Sequence, residues 1–228
     1  MENDYTVLQV RLHSKRLPHK LLLPLKGGTI FEHVLVRLAA AVIPKGVIIA
    51  TTKDTEPLIK ETADDHGAPI LTGSENDVLS RFVKSVRSFN IDNVVRATGD
   101  NPLVSIEYID RALALHKARG ADLTTYPDLP YGTGIEVIKG DILCEIDRLS
   151  GDMYEREHIT QYIYRNENRY FIERGTPDPS LSRPDLKLTV DTWDDYKKMV
   201  DIYEKLYRGA PIKLQEVISY LDKGLVKS

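Results

Sequence analysis

A basic loop follows the first apolar run of the chain. The run from Tyr5 to Val10 is typical of a β-strand, and the loop RLHSKRLPHK then extends from Arg11 to Lys20. No carboxylate occurs from Tyr5 through Phe31, and the loop contributes the donors Arg11, Ser14, Lys15, Arg16 and Lys20. Such donors at the end of a strand suit the oxygen atoms of a polyphosphate. On charge alone, a solvated basic turn explains the loop equally well.

Two acidic residues, Asp100 and Asp191, come directly after predicted strands. Side chains at the carboxyl ends of parallel strands point into the ligand crevice, where two carboxylates can share one or two Mg²⁺ ions. Such ions would neutralise charge on a triphosphate held by the basic loop. Taken singly, Asp100 also fits a turn residue and Asp191 a helix N-cap. The coincidence of the loop with both acids favours the metal site.

Several other kinds of site are disfavoured. The sequence contains no GxxxxGK[ST], no GxGxxG after a strand and no HExxH. Glu157 and His158 are adjacent in a helix-like stretch, where a structural or substrate-contacting histidine is more frequent than a metal ligand. The single cysteine, Cys144, excludes an intrachain disulfide.

The composition is that of a globular protein. Its 31 Lys and Arg residues against 34 Asp and Glu residues give a net charge of −3, so no global basic field marks a nucleic-acid binder. No run approaches the roughly 20 apolar residues that span a bilayer. The acidic N-terminal residues do not resemble a signal peptide. We therefore expect no nucleic-acid partner, no membrane partner and a cytoplasmic location.

Apolar runs alternate with amphipathic stretches, which indicates βαβ units and a parallel sheet. Strands or extended segments are predicted at 5–10, 47–52, 70–71, 93–97, 135–138, 169–173 and 186–190. Helices are predicted at 30–43, 55–67, 78–89, 105–119, 141–149, 154–166, 193–208 and 214–221. Residues 121–185 depart from this regular alternation, beginning with an irregular loop rich in Tyr, Pro and Gly. They are predicted to be an insert, a lid or a dimer arm within one domain that spans residues 1–228.

Five motifs together resemble a known family, the cytidylyltransferases that activate acidic sugars. These are the CMP-Kdo and CMP-sialate synthetases, and the resemblance is strongest to the spore-coat polysaccharide type. The order and spacing of the motifs agree across roughly residues 8–220. The motifs are VRLHSKRLPHKL (10–21), GSENDVLSRF (73–82), RATGDNPL (96–103), REHIT (156–160) and LTVDT (188–192). His19 stands where many members have glycine.

The resemblance implies a Rossmann-like, three-layer α/β/α nucleotidyltransferase fold, as in nucleotide-diphospho-sugar transferases, with a mixed, mostly parallel sheet. It implies a homodimer that uses Mg²⁺ and transfers CMP from CTP to a sugar, sugar acid or phosphorylated acceptor, with release of pyrophosphate. Region 121–185 would then bind the acceptor or the second subunit.

The resemblance also assigns roles to residues. Catalysis would fall to Arg16, Lys20 and Asp100, and metal binding to Asp100 and Asp191. The nucleotide would contact Val10, Arg11, Leu12, Ser14, Arg16, Lys20, Gly73, Ser74, Asp77, Arg81, Thr98 and Asp100. The acceptor would contact Tyr131, Gly132, Glu136, Arg156, Glu157 and His158.

Three alternatives remain open at this point. A sugar-1-phosphate nucleotidyltransferase using another nucleoside triphosphate would usually begin with a Gly-rich loop of G-x-G-T-R type, which the chain lacks. A catalytically silent nucleotide-binding protein would retain the fold and bind without turnover. The Tyr- and Arg-rich stretch 154–170 could stack bases of a nucleic acid, although apolar residues at this spacing more often pack on a core or a dimer partner.

Overall fold

The computed structural model describes residues 2–14 and 16–225, so Lys15 of the basic loop lies outside the described residues. A seven-stranded sheet forms the centre of the fold, in the order β5-β4-β1-β6-β8-β7-β9. Its strands are β1 (Tyr5–Gln9), β4 (Val47–Thr51), β5 (Ile70–Thr72), β6 (Asn93–Thr98), β7 (Leu123–Thr125), β8 (Glu136–Lys139) and β9 (Ile172–Arg174). A separate two-stranded ribbon pairs β2 (Pro24–Leu25) with β3 (Gly28–Thr29).

The sheet is mixed and mostly parallel, as predicted. Strand β1 runs parallel to both β4 and β6, and β5 is parallel to β4. Strand β8 is antiparallel to both β6 and β7, whereas β9 is parallel to β7. Because β1 and β6 are parallel neighbours, the loops that follow them leave the sheet at the same edge. The basic loop and Asp100 are therefore brought together.

Helices cover both faces of the sheet. They are α1 (Ile30–Ala39), α2 (Glu56–Asp65), α3 (Val78–Phe89), α4 (Ile106–Arg119), α5 (Gly140–Leu149), α6 (Met153–Glu157), α7 (Gln161–Arg165), α8 (Trp193–Leu206) and α9 (Leu214–Leu225). Successive strand residues face opposite layers. Leu8 packs with α1, α2 and α4, while Val7 packs with α3, α5 and α7. The result is a three-layer α/β/α architecture, and no helix in the described ranges is long and apolar enough to cross a membrane.

The prediction of a strand at 186–190 was wrong. This segment is extended, but only Lys187 forms a bridge, with Tyr131. The neighbouring position beside β6 is occupied by β8, so the segment cannot enter the sheet there. It is held instead at the end of β6, where the Val190 amide donates to the Asp100 carbonyl at 2.9 Å. Asp191 therefore reaches the sheet edge without following a sheet strand.

Two other predictions need correction. The helix expected over 154–166 is divided into α6 and α7 by the turn at His158 to Thr160, and the strand β7 was not anticipated. Residues 121–185 contribute β7, β8 and β9 to the sheet, and β8 and β9 correspond to the strands predicted at 135–138 and 169–173. Strand β7 has only three residues, which carry little periodicity, and this explains why sequence patterns did not reveal it.

The buried imidazole of His116 makes stability depend on pH. Its side chain is 1% exposed, its Nδ1 lies 2.9 Å from Thr124 Oγ1, and burial lowers its pKa from 6.5 to about 4. Between these pH values the unfolded chain binds a proton that the folded chain does not, so the free energy of unfolding falls as pH falls. By pH 4 the loss from this group should approach ~3 kcal/mol.

Urea denaturation of wild type and His116→Gln at pH 7.5, 5.5 and 4.5 measures this effect. The variant should lose less stability than wild type over this interval, whereas the exposed-histidine control His66→Gln should keep the wild-type dependence. An unchanged pH dependence in His116→Gln would exclude His116 as the cause.

Candidate active site

A cavity of about 1150 Å³ opens at the carboxyl ends of β1 and β6. One wall is the basic loop and the end of β6, and the opposite wall comes from segments 125–136 and 157–164. Predicted site residues that line it are Val10, Arg11, Leu12, Ser14, Arg16, Lys20, Arg81, Thr98, Asp100, Tyr131, Gly132, Glu136, Glu157, His158 and Asp191. Gly73, Ser74, Asp77 and Arg156 are not part of the lining.

Lys20 connects both predicted metal ligands. Its Nζ donates to Asp100 Oδ2 at 2.8 Å, to Asp191 Oδ1 at 3.3 Å and to the Val190 carbonyl at 3.0 Å. The ammonium is well shielded, with a side-chain exposure of 12%. Residues from three distant parts of the chain thus converge on one nitrogen atom.

The backbone just before Lys20 adopts a conformation that favours glycine. His19 adopts a left-handed conformation with φ of 53°, and a short 3₁₀ turn begins at Lys20. A non-glycine residue in this region carries a penalty of roughly 1 kcal/mol, and glycine avoids it. His19 retains the conformation that directs Lys20 toward the two acids.

The carboxylate of Asp100 remains ionised in this environment. Burial alone would raise its pKa, but the Lys20 charge and hydrogen bonds from Lys20 and Thr98 outweigh burial and lower it. Asp191 is also free of the capping role considered above, because the Thr192 side chain is the N-cap of α8. Both acids are therefore available to a ligand.

The two carboxylates have the donor chemistry that Mg²⁺ requires. Mg²⁺ is commonly held by one or two protein carboxylates, with water and phosphate oxygens completing its octahedron. Among the described residues there is no cluster of three or more His, Cys, Asp or Glu side chains that could hold a metal.

The guanidinium groups of Arg11 and Arg16 form ion pairs within the cavity. Arg11 Nη2 lies 2.7 Å from Glu157 Oε1, and both side chains are about 40% exposed. Arg16 Nη2 lies 3.4 Å from Asp191 Oδ1 and is two-thirds exposed. Exposed ion pairs contribute little to stability. An anionic ligand could therefore replace the carboxylate partner of either guanidinium with little loss of free energy.

Arg81 is a buried cation beside the nucleotide wall predicted from sequence. It is 2% exposed, and its guanidinium donates to the carbonyls of Ser74 and Glu75. Burial lowers its pKa, and the nearby Arg11 charge lowers it further. A Cβ on Gly73 would lie 2.8 Å from Arg81 Cγ, so glycine leaves room for this side chain. Gly73 and Ser74 therefore support Arg81 from behind the cavity wall.

The structure does not support the acceptor-contacting role predicted for Arg156. Its guanidinium points away from the cavity, to the carboxylates of Asp77 and Asp147 at 2.7 and 2.8 Å. Asp77, predicted to contact nucleotide, caps α3 by accepting from the Ser80 amide at 2.9 Å. Adjacent residues on a helix point in different directions, which is why the motif REHIT alone could not separate Arg156 from its neighbours.

A polar cluster on the wall formed by segments 125–136 and 157–164 joins the predicted residue Glu136 to two residues that sequence reasoning missed, Arg96 and Tyr164. Glu136 Oε2 accepts from Arg96 Nη1 at 2.6 Å, and Glu136 Oε1 accepts from the Tyr164 hydroxyl at 2.8 Å. Burial and the Glu136 carboxylate raise the pKa of Tyr164, which keeps its hydroxyl protonated. Arg96 and Glu136 are direct cross-strand partners, a signal that requires the antiparallel register of β8.

The remaining acceptor candidates occupy the mouth and rim of this wall. Tyr131 is 66% exposed, and Gly132 has φ of 93° with its ideal Cβ position only 2.7 Å from the Thr189 amide nitrogen. A side chain at position 132 would therefore displace the segment that leads to Asp191. The His158 ring packs beside Tyr154, with centroids 4.6 Å apart.

The aromatic stretch 154–170 does not form a base-stacking surface. Tyr154 is half exposed, but Tyr170 is 7% exposed, and Tyr162 and Tyr164 pack against the core beside α3 and α5. The burial pattern favours the interpretation that this stretch packs on the core.

Family, sequence and structure comparisons all relate this chain to cytidylyltransferases or their relatives. A family model of cytidylyltransferases matches residues 6–217. An uncharacterized protein, MJ1063, of Methanocaldococcus jannaschii is 34% identical over 96% of this chain and 90% of its own. The spore coat polysaccharide biosynthesis protein SpsF of Bacillus subtilis is 30% identical over 98% and 96%. A cytidylyltransferase structure from Leptospira borgpetersenii superposes with a TM-score of 0.92 at 25% identity, covering 99% and 96% of the two chains.

The pair between Arg11 and Glu157 should compete with an anionic ligand. We expect Glu157→Gln to bind inorganic tripolyphosphate about two- to fivefold more tightly, because removing the carboxylate frees Arg11 from an exposed pair. Isothermal titration calorimetry at low ionic strength measures the affinity.

The control is Asp54→Asn, which removes a carboxylate 2.9 Å from His13 on the outer side of the same loop. It should change the affinity less than Glu157→Gln does. Equal effects of the two variants would indicate a general charge effect and refute competition for Arg11.

Proposed function

The chain belongs to the cytidylyltransferase family and is a nucleotidyltransferase, and we propose that it transfers CMP from CTP to a sugar-type acceptor with release of pyrophosphate. The observation that carries the proposal is the convergence of Lys20, Asp100 and Asp191 in a large cavity beside the basic loop. This arrangement offers cationic donors for a triphosphate next to a pair of carboxylates.

The basic loop would hold the leaving pyrophosphate. Arg16 and Lys20 supply charge where the bond between the α- and β-phosphates breaks, and Arg11 and Ser14 supply further donors. Arg81, buried against the 73–77 segment, would lie near the base and ribose. This division leaves the wall at 131–136 and 157–164 for the acceptor.

The reaction needs positioning and electrostatics more than covalent chemistry. An acceptor oxygen attacks the α-phosphorus in line, the P–O bond to the β-phosphate breaks, and pyrophosphate leaves with its charge compensated by Arg16 and Lys20. No covalent nucleophile on the protein is required. The contribution of the chain is to orient CTP and acceptor in the same cavity.

Asp100 and Asp191 are the residues that would hold Mg²⁺. When bound, the ion supplies neutralisation of phosphate charge during transfer. Lys20 holds both carboxylates close together through hydrogen bonds from its ammonium group. We propose Mg²⁺ because two carboxylates plus phosphate oxygens match its usual coordination.

The acceptor wall suits a polyhydroxylated molecule. Glu136, Tyr164 and His158 line it with hydrogen-bonding groups, and Arg96 provides a positive charge. The proposed acceptor is a sugar, a sugar acid or a related phosphorylated compound, and the product would serve surface polysaccharide or glycoconjugate synthesis, in keeping with the name of the Bacillus relative. A homodimer is proposed by analogy with the family, and light scattering tests it.

The proposal is tested by a substrate screen. Purified protein with Mg²⁺ is incubated with each of the four ribonucleoside triphosphates and dTTP against acidic sugars, sugar phosphates and polyol phosphates, and products are identified by mass spectrometry. A CMP-linked product is expected. A product from another triphosphate would favour a sugar-1-phosphate nucleotidyltransferase, and CTP binding without turnover on the whole panel would favour a silent nucleotide-binding protein.

Loss of any one of the three converging residues should reduce turnover strongly. We expect Asp100→Asn, Asp191→Asn and Lys20→Ala each to lower turnover by about 10²–10³, since each removes a preorganised charge contact. Pyrophosphate release under saturating Mg²⁺ measures turnover, and circular dichroism checks the fold. Wild-type pyrophosphate release by Asp100→Asn would show that the metal assignment is wrong.

A further inference from the structure

All three nitrogen atoms of the Arg156 guanidinium contact acceptors inside the protein. A guanidinium has five N–H donors. Nε donates to Asp77 Oδ2 at 2.8 Å, and Nη1 donates to the carbonyls of Asp147 and Ser150 at 3.2 and 3.1 Å. Nη2 contacts Asp147 Oδ1 at 2.8 Å and Asp77 Oδ2 at 2.7 Å. The side chain is 16% exposed, and its charge is compensated by the carboxylates of Asp77 and Asp147.

These contacts join three parts of the fold. Asp147 and Ser150 lie at the end of α5, and Asp77 begins α3 directly after segment 73–76. Glu75 and Asn76 of that segment line the cavity on its nucleotide side. Arg156 belongs to α6, so its contact with Asp77 connects α6 to segment 73–76.

Helix α6 depends on such anchors for its position. It has only five residues, and a helix this short is not stable without tertiary contacts. One anchor is Glu155, which accepts from Ser150 Oγ at 2.9 Å and from Arg165 Nη1 at 2.8 Å. Arg156 is the anchor that reaches α3 and α5.

The next two residues point the other way. Glu157 contacts Arg11 across the cavity at 2.7 Å, and His158 lines the acceptor wall. Because the three residues are consecutive at the end of one short helix, fixing Arg156 fixes where Glu157 and His158 project. A displacement of about 1 Å in such groups can reduce a rate by up to about 10²-fold.

We propose that Arg156 is a positioning residue, which clamps α6 to the start of α3 and the end of α5 and so holds Glu157 and His158 in the acceptor wall. The clamp ties the acceptor side of the cavity to the segment on its nucleotide side. The role rests on the proposed function insofar as it concerns transfer to an acceptor. The clamp itself is a property of the fold and can be measured without an acceptor.

The kinetic test compares variants on either side of the clamp. With CTP saturating and the acceptor that wild type uses in the substrate screen, Arg156→Ala should lower kcat/KM for the acceptor by about 10- to 100-fold. Asp147→Asn, whose carboxylate is outside the cavity lining, should lower the same parameter, and the double variant should be no worse than Arg156→Ala alone. Arg156→Lys should restore little, because an ammonium cannot replace the guanidinium fork.

Arg183→Ala is the matched control. Arg183 also binds two carboxylates, Asp185 at 2.8 Å and Asp222 at 2.5 Å, has a similar side-chain exposure of 23%, and is outside the cavity lining. Its loss should leave kcat/KM for the acceptor unchanged. If Asp147→Asn leaves the acceptor kinetics at the wild-type level while Arg156→Ala impairs them, Arg156 acts directly on substrate and the proposal is overturned.

Hydrogen–deuterium exchange of the full-length protein provides the acceptor-free test. Amides of residues 154–161 should exchange faster in Arg156→Ala and Asp147→Asn than in wild type or Arg183→Ala. Unchanged exchange in both clamp variants would overturn the proposal. Absence of turnover by wild type on the whole acceptor panel would instead count against the proposed function. The exchange result would still show whether Arg156 holds α6 in place.

Discussion

The contact between the Lys20 ammonium and two carboxylates is the interaction on which the site depends. Asp100 and Asp191 are far apart in the sequence, and Lys20 brings both within 3.3 Å of one nitrogen atom. Two ionised carboxylates at close range repel each other, and a shared cation offsets this repulsion. Replacing Lys20 with a neutral residue would leave the two carboxylates without a compensating charge in a partly buried site, which would destabilise the fold. The same contact places a cation and two carboxylates side by side in the cavity.

Strand order makes this contact achievable. With β1 central and β6 parallel beside it, the basic loop and Asp100 emerge at one edge of the sheet. Segment 186–190 reaches the same edge from outside the sheet, held by the Asp100 carbonyl. The antiparallel strand β8 then directs Glu136 toward Arg96 and creates the opposite wall. One wall thus concentrates charge suited to phosphates, and the other concentrates groups suited to hydroxyls.

Features encoded by neighbouring residues were predictable from sequence. The α/β alternation, the basic loop and the strand-terminal Asp100 follow from local periodicity and position. Arg156 was predicted to contact the acceptor together with Glu157 and His158, but its guanidinium binds Asp77 and Asp147, because consecutive residues of this segment project in different directions and only packing decides which one faces the cavity. The pair of Arg96 and Glu136 depends on the register of a short antiparallel strand, and the path of segment 186–190 depends on which sheet positions are already filled. These are tertiary constraints that local patterns do not contain.

In the proposed reaction, this site cleaves CTP between the α- and β-phosphates and transfers CMP to an acceptor. Phosphorus-31 NMR of wild-type protein with CTP, Mg²⁺ and the acceptor mixture follows each phosphate directly. A pyrophosphate signal should grow with about twice the integrated intensity of the CMP phosphorus signal, because pyrophosphate carries two equivalent phosphorus atoms, and no cytidylylated protein should form. Formation of CDP with inorganic phosphate, or a CTP spectrum that stays unchanged with every acceptor, would contradict it.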